Sequence, residues 1–411
     1  MTRLLVRGSR FTPTGIDRVV LAYARWLLGE PDVALQPVAT VAGRILACPR
    51  DLLVRIVDGA EAFSAAARAN PAADRAWAAL VAALGDDAPV ERPLRARSAI
   101  GQLAPRAAWH ASVLGREGWR LRTAQINAGA VYLNVSHTGL DHRRVLSRVA
   151  AAGAAPVVMI HDLIPITHPE YCSPAAEARH VRRMGEVLRH ARLVIANSAT
   201  TADALSRYAL GLGRAAPPTA IAPLGLEPDF LAPPPALAAT RPYFVALGTL
   251  EARKNLASLL ALWRRLAETL GDAAPRLVLV GRRGWENESV IDHLERSKAA
   301  LRLVHEIADL QDVQVASLLA GAKALLAPSF AEGYDLPVIE AMSVGAPVIA
   351  SDIPVHRELA GAAMLIDPLD GPAWLAAIEA ASVSSTRPPP RPGPRWADHF
   401  ASVRDAVLDV R

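Results

Sequence analysis

Short, continuous apolar runs that end in polar residues recur along the chain. They cover residues 131–133, 157–160 and 193–195 in the first half, and residues 243–247, 277–280, 324–326 and 347–350 in the second. Uninterrupted runs of this length are typical of parallel strands that are buried on both faces. Open parallel sheets place their sites just beyond the carboxyl ends of the strands. The polar residues that follow each run are therefore the candidate site positions.

The arrangement of these runs predicts two domains. An apolar run over residues 4–6, a glycine-containing loop and a helix over residues 16–28 would form an opening βα unit. A proline-rich segment, which is semi-rigid, separates the two halves. We predict an α/β fold with two doubly wound, Rossmann-like domains and a cleft between them. The predicted parts are an N-terminal domain (1–232), a linker (233–242), a C-terminal domain (243–385), and a connection with a helix that packs back across the domains (386–411).

The composition predicts a cytoplasmic protein without a membrane-inserted segment. The longest apolar run, residues 149–160, contains Gly153 and Pro156 and is shorter than the ~20 residues that span a bilayer. The first ten residues lack the apolar core of a signal peptide. Cys48 and Cys172 provide neither a metal-ligand spacing nor a disulfide framework.

The net charge of +5 is unevenly distributed. A group of arginines interleaved with two tryptophans comprises Arg92, Arg95, Arg97, Arg106, Arg116, Arg120 and Arg122. One interpretation is a solvated basic face. The other is contact with an anionic partner, either the inner face of the plasma membrane or a diphosphate-linked acceptor. Nucleic acid is not favoured, because no recognised binding motif accompanies the charge.

The stretch over residues 329–347 contains two glutamates eight positions apart, Glu332 and Glu340. Pro337 suits the first position of a helix, so Glu332 is expected in the loop and Glu340 one turn into the helix. The free N–H groups of residues 333–336 would form an anion site at the helix N-terminus. Glu332 could accept hydrogen bonds from sugar hydroxyls and Glu340 from a ribose diol. Alternatively, Glu340 only interacts favourably with the helix dipole.

This stretch resembles the E-x7-E signature of family 4 glycosyltransferases. The family's commoner wording is EGFGLP, whereas this chain has EGYDLP, so Tyr334 and Asp335 differ. The resemblance implies a GT-B fold and transfer of a sugar from a nucleotide sugar with retention of anomeric configuration. It also implies a donor site that includes Gly333, Tyr334, Asp335, Leu336 and Glu340.

A second stretch, GTLEARKN at residues 248–255, resembles the family's phosphate-clamp loop. Lys254 falls where the family places its diphosphate-binding lysine, and Arg253 would supply the guanidinium that the family carries at Thr249. Only three lysines occur in the chain, which favours a site that needs a compact ammonium group over a surface lysine. The resemblance further implies that the nucleotide contacts Gly248, Thr249, Gly281, Arg282 and Ile307.

In the first half, His161 follows the apolar run at residues 157–160. The family often has a histidine there that contacts the donor sugar, although a histidine in this position can also be structural. The loop at residues 14–18 resembles the family's first glycine loop, which faces the donor phosphates or the acceptor. The acceptor-side and phosphate-loop residues implied in this way are Gly15, Ile16, Ser136, His137 and Asp162.

The chemistry implied by the resemblance is transfer without a metal ion or other cofactor. The chain has no D-x-D motif, so a helix N-terminus, Arg253 and Lys254 would offset the charge of the leaving group. No pair of carboxylates of the glycosidase kind is evident, so we expect same-face attack in which the departing phosphate takes the acceptor's proton. The expected catalytic residues are Glu332, His161, Lys254 and Arg253.

The expected substrates are a nucleotide sugar and a saccharide or polyprenyl-diphosphate-linked acceptor. The segments NVSHTGL, HDLIPI and GTLEARKN are similar to mannosyltransferases of bacterial polysaccharide biosynthesis, which favours GDP-mannose while UDP-sugars stay open. Two alternatives are a nucleotide-sugar epimerase or hydrolase on the same scaffold and a non-catalytic sugar-binding scaffold. A dinucleotide-dependent dehydrogenase is not favoured, because no G-x-G-x-x-G motif follows the first strand of either half.

Overall fold

The computed structural model describes residues 3–4, 15–69, 75–85, 122–284, 287–361 and 363–410. Most of the arginine-rich group, from Arg92 to Arg120, lies outside these ranges, so its anionic partner stays a prediction. Within the described ranges, no helix has both the length and the apolar character needed to cross a bilayer.

The first half combines a four-stranded parallel sheet with a small hairpin. Its elements are α1 (Gly15–Gly29), β1 (Val38–Val41), β2 (Arg44–Ala47), α2 (Arg50–Ala69), α3 (Arg75–Gly85), β3 (Val131–Asn134), α4 (Val145–Ala151), β4 (Ala155–Ile160), α5 (Ile164–Thr167), α6 (Pro174–His190), β5 (Leu193–Ala196), α7 (Ala199–Gly211), β6 (Thr219–Ile221) and α8 (Pro228–Leu231). Strands β3 to β6 pair in parallel in chain order, and β1 pairs antiparallel with β2. The loops after β3, β4 and β5 therefore meet at one edge of the sheet.

Leu4 differs from the sequence expectation. It is helical and buried, so the predicted opening strand at residues 4–6 is wrong at this position, and residues 5–6 lie outside the described ranges. A three-residue apolar run does not distinguish a strand from a buried helical segment, because both bury the same side chains.

The second half contains a six-stranded parallel sheet. Its elements are β7 (Tyr243–Leu247), α9 (Leu256–Leu270), β8 (Arg276–Val280), α10 (Glu288–Arg296), α11 (Lys298–Leu303), β9 (Val304–Ile307), α12 (Asp312–Gly321), β10 (Leu325–Ala327), α13 (Leu336–Ser343), β11 (Val348–Ser351), α14 (Pro354–Leu359), β12 (Met364–Ile366), α15 (Gly371–Val383) and α16 (Trp396–Leu408). The predicted α/β class with two parallel sheets is confirmed.

The strand order of the second sheet is β12-β11-β10-β7-β8-β9. The chain therefore starts in the middle with β7, builds outward to β9, and returns to the middle with β10. Neighbouring strands β7 and β10 form the point where the direction of winding reverses, and doubly wound sheets bind ligands in the crevice there. The loops that follow β7 and β10 are the 248–255 and 328–335 segments that the sequence singled out.

The chain returns to the first half at its C-terminal end. Leu226 N–H donates to Pro394 O (3.0 Å), and α16 then packs against β5 and β6. Phe400 on α16 stacks on Trp26 of α1, with ring centroids 4.5 Å apart, and meets Tyr23 edge to face at 5.1 Å. Helix α16 is therefore part of the hydrophobic core of the first half.

Truncating this aromatic contact tests the role of α16. Phe400→Ala should lower the free energy of unfolding by about 3 kcal/mol, because it removes a buried ring from a packed cluster. Leu408→Ala on the same helix is the control: Leu408 is exposed, and its loss should change stability by less than about 0.5 kcal/mol. Urea titration followed by circular dichroism measures both. Equal effects of the two substitutions would show that α16 does not stabilise the core.

Candidate active site

Two glycine-containing loops pack together at the carboxyl edge of the second sheet. Gly248 N–H donates to Val280 O (2.9 Å), and Gly281 N–H donates to Ile307 O (2.8 Å). A Cβ on Gly281 would lie 1.8 Å from Gly248 O, so only glycine allows the loops to come this close. Gly248, Gly281 and Ile307, three predicted nucleotide contacts, thus lie side by side.

Arg253 and Lys254 are brought to the switch point by a single turn of 3-10 helix, Ala252–Lys254. The turn ends at Asn255, whose φ of 53° is left-handed, a conformation that asparagine tolerates better than most residues. Phe330 N–H donates to Arg253 O (2.9 Å), which ties this turn to the loop after β10. The two loops that follow the central strands are therefore joined by backbone contact.

The carboxylate of Glu332 forms an ion pair with each of these cations. Its carboxylate contacts Lys254 Nζ at 2.7 Å, pairs with Arg253 Nη1, and accepts a hydrogen bond from Ser329 Oγ at 2.9 Å. Arg253 also pairs with Glu251, Nε to Oε1 at 2.6 Å. Three of the predicted catalytic residues, Glu332, Lys254 and Arg253, therefore form one nearly buried cluster.

Both cations of this cluster are charged at neutral pH. Burial alone would lower the pKa of Lys254, but Asp335 and Glu332 outweigh it, so the pKa lies above its usual value. Burial likewise opposes ionisation of Arg253, and Glu332 and Glu251 more than offset it, so its pKa is also raised. The cluster therefore contains two full positive charges, which are paired with the carboxylates of Glu332, Glu251 and Asp335.

Asp335 points into the protein. It precedes α13 in a left-handed conformation (φ 59°), and its side chain does not cap that helix. One carboxylate oxygen contacts Lys254 Nζ at 3.0 Å and the other contacts His356 Nε2 at 2.9 Å. His356 was not predicted as a site residue from the sequence, because it lies inside the next helix, α14, and not at the end of a strand.

Glu340 lies in α13 and is engaged by a residue of the first half. Arg18 Nη1 donates to Glu340 Oε1, and Arg18 Nη2 pairs with Asp312 of α12. Burial raises the pKa of Glu340 to about 7, against the opposing effect of Arg18. Arg18 was not predicted as a site residue either, although it belongs to the 14–18 stretch that resembles the family's first glycine loop; in the structure it lies in α1.

Residues at the edge of the first sheet touch Gly333. A Cβ on Gly333 would lie 2.1 Å from His161 O, and Gly333 O accepts hydrogen bonds from Ser198 Oγ (2.8 Å) and Thr201 Oγ1 (3.2 Å). His161 Nε2 lies 2.8 Å from Val135 O; because a carbonyl only accepts, this nitrogen carries the proton. The His161 loop and the Glu332–Gly333 loop are therefore in direct contact.

His137 supports this loop from beneath. It is buried at the end of β3, in left-handed conformation (φ 60°), and its Nε2 accepts from His161 N–H at 3.4 Å. Burial and neighbouring histidines and Arg183 hold the pKa of His137 well below its usual value. As a neutral, buried ring, His137 holds the backbone of His161 in this conformation.

The remaining predicted site residues make contacts outside the ion pairs of the cluster. Asp162 accepts from Ile164 N–H (3.1 Å), and Ser136 Oγ donates to Thr138 Oγ1 (3.1 Å). Arg282 pairs with Asp309, and Tyr334 Oη donates to Leu224 O at 3.2 Å. A Cβ on Gly15 would lie 3.9 Å from Leu336 Cδ1. Thr249 is partly buried beside Gly284, and Ile16 packs on the core.

No metal centre is evident in the part of the chain that the structure describes. Over these ranges, no three His, Cys, Asp or Glu side chains converge in a way that could hold a metal ion.

Comparison with known proteins gives a family match over one third of the chain. Residues 241–382 match the family model "Glycosyl transferases group 1". The chain is 28% identical over 236 residues to the serotype-specific mannosyltransferase WbdA of Escherichia coli, covering 52% of this chain and 28% of WbdA. It is 30% identical over 225 residues to the O-antigen chain mannosyltransferase B of the same organism, and this match covers 52% of this chain and 58% of mannosyltransferase B. The chain thus spans little more than a quarter of WbdA.

Solved structures show a distant likeness. Sucrose-phosphate synthase from Thermosynechococcus elongatus is 19% identical with a TM-score of 0.48, and the match covers 75% of this chain and 74% of that one. Anabaena HepE in complex with UDP and glucose is 19% identical with a TM-score of 0.49, and the match covers 77% of this chain and 82% of HepE.

The close approach of Gly333 to His161 is testable. Gly333→Ala should lower the free energy of unfolding by about 2 kcal/mol, because the added methyl group meets a backbone carbonyl that cannot turn away. Gly211→Ala, at the end of α7, has nothing within 4 Å and should change stability by less than about 0.5 kcal/mol. Urea titration of both variants measures the difference. A fully stable Gly333→Ala protein would contradict the contact.

Proposed function

We propose that this chain, which carries a glycosyl transferases group 1 domain at residues 241–382, is a metal-independent, retaining glycosyltransferase. It transfers a hexose from a nucleoside diphosphate sugar to a saccharide or lipid-linked oligosaccharide acceptor. The observation that carries this proposal is the cluster of Arg253, Lys254 and Glu332 at the switch point of a doubly wound sheet.

The two cations suit a diphosphate leaving group. Negative charge develops on the leaving group as the bond to the anomeric carbon breaks, and preoriented cations stabilise it where water is excluded. An ammonium group has three N–H donors, and Lys254 uses two of them on Glu332 and Asp335. The third donor of Lys254 and the guanidinium of Arg253 are the groups that would hold the diphosphate.

Glu332 is suited to binding rather than to nucleophilic attack. Its carboxylate is held by Lys254, Arg253 and Ser329, which withdraws charge from both oxygens and fixes their direction. A carboxylate in that state accepts hydrogen bonds from sugar hydroxyls and is a poor nucleophile. We therefore propose same-face attack by the acceptor hydroxyl, whose proton passes to the departing phosphate.

The contact between the two halves supports a closed arrangement around the donor. Gly333 lies against His161 O, with Ser198 and Thr201 bonded to it from the first sheet. A donor sugar bound at Glu332 would thus lie beside residues of both halves. Closure of this kind excludes water that would otherwise hydrolyse the donor.

For the donor we favour GDP-mannose, and for the pathway bacterial polysaccharide synthesis. The support is the similarity to WbdA and to mannosyltransferase B, both named mannosyltransferases. UDP-sugars are the alternative donors. Peripheral contact with an anionic membrane is also proposed, from the arginines between Arg92 and Arg122.

Removal of the Lys254 charge tests the donor site. Lys254→Met should weaken binding of GDP, or of UDP if that is the nucleotide bound, by at least about tenfold, because a buried cation facing the diphosphate is lost. Isothermal titration calorimetry measures the affinity, and circular dichroism shows whether the variant is folded. Lys298→Met, at an exposed lysine on α11, should bind as the wild type does. If the wild type binds neither nucleotide, the proposed function is wrong.

The proposed roles of the two glutamates predict different kinetics. An ionised Glu340 is acceptor-only, whereas protonation turns one of its oxygens into a donor and weakens its pairing with a ribose diol, so with a pKa of about 7 nucleotide affinity should fall as the pH decreases through 7. Glu340→Gln should abolish this dependence, whereas Glu332→Gln should mainly lower kcat with GDP-mannose. Calorimetry between pH 6 and pH 8 and a transfer assay measure the two effects. Glu379→Gln, on the exposed side of α15, is the control, and wild-type behaviour of both site variants would refute the roles.

A further inference from the structure

His356 lies between two hydrogen-bond acceptors. Its Nδ1 is 2.8 Å from Ser351 O, and its Nε2 is 2.9 Å from a carboxylate oxygen of Asp335. A backbone carbonyl and an ionised carboxylate only accept, so each ring nitrogen must carry a hydrogen. The geometry therefore requires either an imidazolium ion at His356 or a neutral carboxylic acid at Asp335.

Lys254 decides between these two states. Its ammonium group lies 3.0 Å from the other oxygen of Asp335, and a cation at that distance favours the ionised carboxylate. Burial alone would raise the pKa of Asp335, but Lys254 and His356 bring it well below its ordinary value. Burial likewise would lower the pKa of His356, and Asp335 raises it above 6.5. His356 is therefore a buried cation.

Within the ion-paired network of the proposed donor site, the charges balance only when the imidazolium of His356 is counted. The cations are Arg253, Lys254 and His356, and the anions are Glu251, Glu332 and Asp335. Loss of the proton from His356 leaves three carboxylates against two cations. A diphosphate would then approach a site with a net negative charge, which opposes its binding.

We propose that His356 is a positioning residue of the donor site, which as a buried imidazolium holds Asp335 against Lys254 and supplies the positive charge that lets the cluster accept a nucleoside diphosphate. The inference rests on the proposed function. It also gives a specific role to Asp335, which stands where family 4 glycosyltransferases commonly have glycine, because the Asp335 carboxylate joins Lys254 to His356.

Other charged groups near His356 are engaged elsewhere. On its own helix, Arg357 pairs with Asp352, and the Glu358 carboxylate accepts from the N–H groups of Ala199 and Thr200 on α7. In the loop packed against His356, Asp335 contacts the ring directly, and Glu332 raises the pKa of His356 to a smaller extent. Burial disfavours protonation of His356, and Asp335 is the group that chiefly favours it.

The pH dependence of nucleotide binding gives the first test. Binding to the wild type should weaken by roughly tenfold as the pH rises through the pKa of His356, which lies above 6.5, since one positive charge is lost near the diphosphate. Ionisation of Glu340 near pH 7 strengthens binding in the same range, so the complete profile should be bell-shaped. The probes are GDP and UDP, each measured by calorimetry from pH 6 to pH 9.5.

Charge rescue separates this role from a merely structural one. His356→Gln keeps a neutral donor for Asp335 and should weaken binding by roughly tenfold at pH 7. Adding Asp335→Asn restores the balance with two cations and two anions, and asparagine tolerates the left-handed backbone at this position. The double variant should regain most of the affinity and lose the weakening at high pH. His190→Gln, at a histidine of α6 whose ring lies beside Glu186 and takes no part in the cluster, should match the wild type.

Each outcome bears on the proposal. An NMR titration of the His356 ring, assigned by comparison with His356→Gln, should show an imidazolium at pH 7. Restored affinity in the double variant together with this signal supports the proposal. A neutral ring at pH 7, or a double variant that binds as poorly as His356→Gln, overturns it while nucleotide binding and the proposed function stand. Failure of the wild type to bind GDP or UDP at any pH overturns both.

Discussion

The carboxylate of Glu332, held between the buried cations Lys254 and Arg253, is the interaction on which the site depends. Each buried ion costs several kcal/mol to desolvate, so the arrangement persists only while every member has a partner. Pairing across the switch point fixes the loop after β7 against the loop after β10. Each of the two loops ends at a residue in left-handed conformation, Asn255 in the first and Asp335 in the second.

The same constraint suits the loops to the proposed diphosphate ligand. Partners inside the protein interact more strongly than they would in water, and oriented groups need little rearrangement when a ligand arrives. A site with two unpaired buried cations would be unstable when empty. The neighbouring carboxylates solve this problem, because they balance the charges of Lys254 and Arg253 and leave some N–H donors of these two residues unused. The cluster is thus compatible with both the empty and the occupied state.

The sequence predicted which loops carry this cluster, because its signals are local, but not the ion pairs within it. Apolar runs marked the strands, and the polar residues after them included Gly248, Lys254 and Glu332, which the parallel sheet necessarily brings to one edge. The contacts of His356 and Arg18 were not predictable in this way. His356 meets Asp335 from 21 positions away, and Arg18 meets Glu340 from 322 positions away. Such pairs arise from the packing of helices, which neither periodicity nor spacing records.

The pairing of Arg18 with Glu340 also changes how a ribose could be bound. A glutamate this buried resists ionisation by itself, and Arg18 is the group that favours its charged form. Arg18 occupies Oε1, while the second oxygen is not part of that hydrogen bond. Displacing the arginine would leave a buried carboxylate that takes up a proton and loses an acceptor site. In the proposed donor complex, a ribose diol at Glu340 is therefore better accommodated beside Arg18 than in its place, and α1 of the first half would contribute through the charge it maintains.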